Sequence, residues 1–295
     1  MSGEVAVVIP AYNAARFLDA TLESVEAQTA KPAETVVVDD GSTDDTAVIA
    51  QAHDGVRIIR QQNAGVAAAR NRGARATTAE WIAFLDADDL WTPDKLATQL
   101  ARAAATAAGA VFCDLATIDA DGQDMSPHDV PPVSLEMEPL LLHHESIPQG
   151  TSSTLLVRRS VFESIGGYDE SLATMADWDL LIRLRMATSF AHVPRRLTAY
   201  RRYPGTMSRS VPMLERESLM ILDKVFSRAG LDPALRALEG RSRAWNDLVL
   251  SGSHFAAGRF IPAVRFGSRA VFRNPRLIGR IAAMPLRRLR GTRAT

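Results

Sequence analysis

At 295 residues, 46% hydrophobic and 23% charged, the chain is long enough for one large domain or one domain with an appendage, and its composition is that of a globular protein. The one cysteine, Cys113, excludes an intramolecular disulfide, and no stretch approaches the roughly 18 uninterrupted apolar residues of a membrane span. The net charge of zero hides an asymmetry: residues 251–295 hold ten arginines and no Asp, Glu or Lys, so the preceding residues carry the compensating acidic excess.

Residues 5–9 form a continuous apolar run, too short for a secretory signal and predicted to open a strand. Phe17, Leu18, Thr21, Leu22 and Val25 then lie at helical spacing. Residues 35–38 give a second strand, 43–52 a helix and 56–59 a third strand. Residues 66–76 are alanine-rich and helical, and 81–85 form a fourth strand. Thr92-Pro93-Asp94 predicts a helix start with a threonine cap, proline at the first helical position and an acid in the first turn. That helix runs over 93–104. Residues 110–113 give a fifth strand, with Cys113 a buried small residue. This order predicts an α/β protein with a mostly parallel sheet covered on both faces.

Residues 118–145, rich in Pro, Asp and Met, read as a long loop placed to move or to cover a site. A strand returns at 154–157 and a helix at 176–187, and from Val211 onward the chain is helical. The division expected is an α/β domain over 1–208 and a helical region with a basic tail over 209–295.

Four segments sit where strands give way to helices. In Ile9-Pro10-Ala11-Tyr12-Asn13, the proline is expected to stop sheet pairing and Asn13 to cap the next helix. Asp39-Asp40-Gly41-Ser42-Thr43-Asp44 offers a tight turn, a cap from Ser42 or Thr43, and one aspartate able to reach a base-edge imide N–H. Plain helix capping is the other reading of that segment. Asn63-Ala64-Gly65-Val66-Ala67-Ala68-Ala69-Arg70-Asn71-Arg72-Gly73 allows close backbone approach at a helix start, and Arg70 and Arg72 are placed to meet phosphate oxygens or are simply solvated. Phe84-Leu85-Asp86-Ala87-Asp88-Asp89 puts three carboxylates after a buried strand, where they are expected to face a crevice. Hard oxygens spaced like Asp86 and Asp88 suit Mg²⁺ or Mn²⁺ held with a diphosphate, although a solvated acidic turn has the same letters.

Taken in order, these segments resemble the family 2 glycosyltransferases, which have the GT-A fold. The likeness continues through Gly166-Gly167-Tyr168-Asp169 and Asp177-Trp178-Asp179-Leu180 and covers roughly residues 4–208. It implies that 1–208 is a catalytic domain that moves a sugar from a nucleoside diphosphate sugar, a UDP-sugar above all, to an acceptor hydroxyl with inversion. It implies Pro10, Ala11 and Tyr12 as the base-pocket wall, Asp40 as the base contact and Arg70 near the diphosphate. Asp86 and Asp88 match the DXD signature, with Asp88 the metal ligand and Asp86 nearer ribose and metal. Asp177 matches the catalytic base, with Ala176 where the family usually has glutamate. Tyr203, in Tyr200-Arg201-Arg202-Tyr203-Pro204-Gly205-Thr206-Met207-Ser208, stands where many members carry a metal-binding histidine. The QxxRW signature of processive synthases is missing, which points to addition of one sugar or a few.

Helical spacing puts Asp177 with Leu180, Leu181 and Leu184 on one stripe, expected to be buried, while Arg183 stands four residues from Asp179 as for a surface ion pair. No GxGxxG, P-loop lysine, GxSxG or HExxH occurs, and His143-His144 read as surface histidines. The alternatives are a sugar-nucleotide nucleotidyltransferase, which lacks its expected glycine- and lysine-bearing loop here, and a non-catalytic sugar-nucleotide binding module. The acceptor expected is a glycan or a lipid-linked sugar in cell-surface glycan or glycolipid synthesis. The arginine-rich tail, interleaved with Phe and Ile, suits an anionic membrane surface more than nucleic acid, for which no motif is present. A cytoplasmic protein, peripheral on the inner membrane face, is the location this implies.

Overall fold

In a computed structural model of the chain, which describes residues 3–126, 134, 136–142, 151–203 and 210–282, the first apolar run forms β1 (Val5–Ala11), every residue of it buried. Pro10 does not stop the strand; it pairs with Val38, and β1 continues to Ala11. After α1 (Leu18–Glu26) come β2 (Glu34–Asp39), α2 (Thr46–Gln51), β3 (Val56–Arg60), α3 (Val66–Arg75) and β4 (Trp81–Phe84). Then follow β5 (Leu90–Trp91), α4 (Lys95–Thr106), β6 (Ala110–Ile118), α5 (Met137–Leu141), α6 (Thr151–Thr154), β7 (Leu156–Arg158), α7 (Arg159–Ser164), α8 (Ala176–Ala187) and β8 (Phe190–Arg201). The helices α9 (Val211–Phe226), α10 (Pro233–Arg236), α11 (Glu239–Ala256), α12 (Phe260–Arg273) and α13 (Ile278–Ala282) complete the described chain, with a 3-10 turn at Pro275–Leu277.

The chain divides into two compact units, Met1–Leu135 with Ser146–Thr206, and Glu136–Glu145 with Met207–Thr295. The first carries one eight-stranded sheet of order β3-β2-β1-β4-β7-β6-β8-β5. β3, β2, β1 and β4 are parallel neighbours. Beyond β4 the sheet is mixed: β7 runs antiparallel to both β4 and β6, β6 and β8 are parallel, and β5 is antiparallel to β8. The chain leaves β1 toward β2 on one side and β4 on the other, so β1 and β4 flank a topological switch point.

The apolar strands bury both faces, as a covered parallel sheet requires. Val5, Val7 and Ile9 pack with Leu18, Leu22 and Val25 of α1 and Leu96 of α4. On the other face Val36 and Val38 pack with Ala69 of α3. Gly73 lets α3 lie close on β1, because a Cβ there would stand 2.3 Å from a Val8 methyl. Each fully buried Leu or Val contributes about 1.5–3 kcal/mol relative to exposure.

Two helix starts differ from expectation. α4 begins at Lys95, and the Thr92 hydroxyl bonds to the Asp94 carboxylate in a turn ahead of it. Asn13 does not cap α1; it takes φ 49°, a left-handed conformation that asparagine tolerates, and reaches across to the next loop. The fifth strand is longer than expected: β6 extends to Ile118, residues 119–125 fold back on it through Met125 N–H to Thr117 C=O, and residues 127–133, 135 and 143–145 of the expected loop lie outside the described residues.

The second unit is built from α9, α11 and α12 around Ala244, Leu248, Ala270 and Leu277. It buries several polar groups, among them Glu217, Asn246, Asp247 and His254. His254, fully buried, lies 2.9 Å from Glu215 and stacks on Phe266, and Asp247 pairs with Arg269 and Arg273.

Candidate active site

The carboxyl ends of β1, β2 and β4 deliver the sequence motifs to one edge of the first unit's sheet. The loop after β1 is clasped to the loop after β2: Thr43 N–H donates to Asn13 Oδ1 (2.9 Å), Asn13 N–H to Ser42 Oγ (3.0 Å) and Ala14 N–H to Thr46 Oγ1 (2.8 Å). Ser42 and Thr43 are spent on this clasp and do not cap α2. Pro10 and Ala11 are buried in β1, and Tyr12 is exposed beside them.

Asp39, which ends β2, and Asp40, which follows it, are both buried and hydrogen-bonded. Asp39 accepts from Ser42 N–H (2.8 Å) and from Arg60 Nε (2.9 Å). Asp40 accepts from the Gln61 amide (2.7 Å) and from Ala64 N–H (2.8 Å) and Gly65 N–H (2.9 Å). Gly65 immediately precedes α3, so Asp40 supplies the negative charge that a helix N-terminus favours. Arg72 is exposed, within 3.4 Å of Gln61.

The three acids after β4 have three different surroundings. Asp89 does not face a crevice: it is wholly buried, accepts from Ser153 Oγ (2.5 Å) and from Arg201 N–H (2.9 Å), and burial with the charges of Asp86 and Asp88 pushes its carboxyl well above the usual range. Asp86 is 31% exposed at its side chain and pairs with Arg70 Nη2 at 2.6 Å. Asp88 accepts from the Tyr203 hydroxyl at 3.2 Å, and burial together with Asp86 pushes it up to about 6. Burial and the neighbouring Asp88 in turn push the Tyr203 phenol up to about 12. Residues 204–208 of that segment, and His143-His144, lie outside the described residues.

Asp177 opens α8 with its side chain 39% exposed. Its Oδ1 accepts from Ser152 Oγ at 2.7 Å and lies 3.4 Å from Arg70 Nη1. Arg70 thus bridges Asp86 and Asp177. Burial opposes its charge, but the two carboxylates outweigh that and raise its pKa. Its guanidinium also lies 5.1 Å over the Tyr168 ring. The Tyr168 hydroxyl is 3.0 Å from Ser152 Oγ, and because Ser152 donates to Asp177, the phenol donates to Ser152. Burial raises that phenol, which keeps its proton.

The expectation for Asp177 and Asp179 is reversed in burial. α8 is buried on most sides, so its leucine stripe does not mark a single inner face. Asp179 is the buried acid, paired with Arg183, whose Nη1 also donates to the carbonyls of Ile165 (2.9 Å) and Gly167 (2.6 Å). Asp177 is the acid with open surface.

Four residues of the site were missed in the sequence. Asn71 holds the Gly166-Gly167-Tyr168 turn by accepting from Tyr168 N–H (2.8 Å) and donating to its carbonyl (2.8 Å). A side chain at Gly167 would meet Asn71 at 2.5 Å, and its φ of +72° favours glycine as well. Ser152 and Ser153 of α6 orient Asp177 and Asp89, and Ser153 Oγ also accepts from Asp86 N–H (3.1 Å). Arg201, buried at the end of β8, donates through Nε to the Asp88 carbonyl (2.9 Å) and through Nη1 to those of Asp119 and Ala120 (3.0 Å each). The available signal was the polar run Thr151-Ser152-Ser153-Thr154 leading into an apolar strand.

Asp86 and Asp88 form a pair of hard oxygen donors whose mutual repulsion a divalent cation would relieve, so the residues present fit Mg²⁺ or Mn²⁺. Among the described residues no group of three His, Cys, Asp or Glu encloses a metal, so such an ion would take further oxygens from a diphosphate and water.

An open α/β sheet with acids at the strand ends beside its switch point is the layout at which this class of protein takes its ligands. The sequence pattern of Glycosyl transferase family 2 matches residues 6–166, and the chain belongs to that family. An uncharacterised glycosyltransferase of Nostoc sp. is 47% identical over 98 residues, 32% of this chain and 30% of that protein. One of Rickettsia typhi is 30% identical over 194 residues, 63% of this chain and 59% of that protein. The chondroitin synthase of Escherichia coli is 26% identical over 260 residues, 83% of this chain and 36% of the synthase. The matches to the Nostoc, Rickettsia typhi and Haemophilus influenzae relatives thus span 30%, 59% and 63% of those proteins. Residues 1–349 of S. aureus TarS superpose over 95% of this chain and 83% of that one, with TM-score 0.65 and 18% identity. The same fragment in complex with UDP-GlcNAc superposes over 86% and 73%, with TM-score 0.64 and 18% identity. The fold is the GT-A arrangement expected from the sequence.

Proposed function

We propose that this protein is an inverting glycosyltransferase that moves a sugar from a nucleoside diphosphate sugar, a UDP-sugar above all, to an acceptor hydroxyl in cell-surface glycan or glycolipid synthesis. The observation that carries the reading is Asp177: a partly open carboxylate, aimed by Ser152 and tied through Arg70 to Asp86. Family membership and the binding of UDP-GlcNAc by a protein of the same fold support the donor class.

In this reading Asp177 accepts the proton of the acceptor hydroxyl as its oxygen attacks the anomeric carbon. The bond from that carbon to the diphosphate breaks, and its electron pair leaves on the phosphate oxygen. A base acting on an external nucleophile gives a single displacement and inversion. Ser152 and Tyr168 hold the base in one rotamer, and Arg70 keeps it in register with the donor side. Pro10, Ala11 and Tyr12 line the base pocket. Asp40 contacts the base by exchanging loop N–H groups for that of the ligand. Asp86 and Asp88 would hold Mg²⁺ or Mn²⁺, which supplies charge neutralisation for the departing diphosphate.

The test is turnover of a panel of UDP-, GDP- and dTDP-sugars by the full chain, with and without chelator. One donor should be consumed. Asp177→Asn should keep donor binding and lose turnover by about 10²-fold or more. Donor binding without turnover, by wild type as well as variant, would reduce the protein to a binding module.

A further inference from the structure

Of the large apolar side chains exposed among the described residues, five of eight fall between residues 260 and 278: Phe260, Ile261, Val264, Phe272 and Ile278. Four of them are on α12, and they are not scattered. At about 100° per residue, Ile261, Val264 and Phe272 follow one line along the helix, with Phe260 beside it. Ile261 is 86% exposed and Phe272 90% exposed. The opposite face of the same helix, Ala263, Phe266, Gly267 and Ala270, is the one buried in the second unit. α12 is therefore apolar on both sides, and one side is left in water.

Charge surrounds the exposed side. Arg265 borders the stripe, and Arg259, Arg276 and Arg280 flank it along the chain, all exposed. No ion pair joins these four to a carboxylate among the described residues, whereas Arg269 and Arg273, one step further round the helix, are held by Asp247. No acid follows Asp247 in the sequence. A contiguous apolar stripe rimmed by cations and without anions is complementary to one kind of surface, anionic headgroups over hydrocarbon. A nucleic acid duplex would use the arginines but leave the aliphatic Ile261 and Val264 in water, and no base-reading motif accompanies them.

We propose that α12 docks this protein onto an anionic lipid surface, with Ile261, Val264 and Phe272 entering the headgroup–acyl boundary and Arg265 and Arg276 meeting lipid phosphates. The docking does not depend on the reaction assigned to the first unit. It also places the second unit's buried polar groups in context: Asp247 and its two arginines fix the rotation of α12 about its axis, and so fix which face looks outward.

Flotation of the full chain with vesicles of equimolar phosphatidylglycerol and phosphatidylcholine, and with phosphatidylcholine alone, tests this. Wild type should partition onto the anionic vesicles and not the neutral ones, and salt should weaken the binding. Ile261→Ala with Phe272→Ala keeps helix propensity and touches no packed side chain, so it should fold normally and lose at least about tenfold in partitioning. Arg265→Gln with Arg276→Gln should lose about 30-fold, since each cation near such a surface adds about a fivefold attraction. Binding lost in the arginine variant but unchanged in the apolar variant would overturn the proposal in favour of simple charge adsorption. Negligible vesicle binding by wild type would also overturn it. In that case concentration-dependent dimerisation abolished by the apolar variant would assign the stripe to a second copy, and retention on duplex DNA would assign the arginines to nucleic acid.

Discussion

Replacing Arg70 by methionine isolates the bridge on which the site depends. The side chain is buried, its two ion pairs go to Asp86 (2.6 Å) and Asp177 (3.4 Å), and its Nε has no partner. Removing one member of a fully buried pair costs about 3–5 kcal/mol, because a charge is stranded. Here the stranded carboxylates are 31% and 39% exposed, so water takes over part of the lost solvation and the loss falls to the order of 2 kcal/mol. Methionine also loses the stacking on Tyr168 while removing the unsatisfied Nε, two terms of about 1 kcal/mol that nearly cancel. Thermal unfolding of R70M should therefore drop by about 4–8 °C for a unit of this size. The double variant R70M/D86N strands one carboxylate fewer and should recover part of that loss, a non-additivity that direct contact demands. An unchanged melting temperature in R70M, or strictly additive losses in R70M/D86N, would refute the bridge.

Three other outcomes follow from the same contacts. D179N should lower stability by about 2 kcal/mol, measured by urea midpoint, because Arg183 loses its buried charged partner and with it the clamp on Ile165 and Gly167; an unchanged midpoint would return Asp179 to the surface. Burial lowers the His53 pKa, but hydrogen bonds to Glu26 and Asp19 outweigh it and raise it above 6.5, so its contribution is fully present below 6.5 and fades as pH rises through the folded value. The stability gap between wild type and His53→Gln should accordingly be larger at about pH 5.5 than at about pH 8.5, and the opposite trend would exclude the pairing. Burial pulls the Lys95 ammonium from 10.5 down to about 8, so between those values the unfolded chain binds the extra proton and stability should rise with pH, a slope that Lys95→Met should remove.

The regular half of the fold was legible because its period is uniform. Residues 5–9, 36–38 and 81–85 are apolar without interruption, and Leu18, Thr21, Leu22 and Val25 give α1 a clean stripe. β8 was not legible. Pro194 with Arg195 and Arg196 interrupts it, and the structure accommodates them at register shifts opposite Cys113 and Asp114. The acids were singled out because strand ends are where ligands bind, but their surroundings were not legible. Whether Asp89 or Asp179 points inward depends on Ser153, Arg201 and Arg183, partners that periodicity within one element does not reveal. Asp177 was singled out of α8 on grounds that the packing does not bear out, since that helix is enclosed on nearly every side.

Arg201 also sets an order of assembly. β1, β2, β3 and β4 find their neighbours through short crossovers, and these pairings close small loops. β6 meets β7 at Ala110 and Val111, but its longer pairing needs β8, with Ala110 meeting Phe190 and Ile118 meeting Arg201. Such distant pairings form late, because the chain between them has to be ordered before they give anything back. The loop from Asp86 to Asp89 is caught in that delay: Asp89 receives the Arg201 N–H, and the Asp88 carbonyl receives its guanidinium. A nascent chain that has not yet brought β8 to the sheet holds an acid in its core with one donor missing. Cutting the chain ahead of Arg201 would leave Asp89 with the Ser153 hydroxyl but without the Arg201 N–H, and the Asp88 carbonyl without its guanidinium partner.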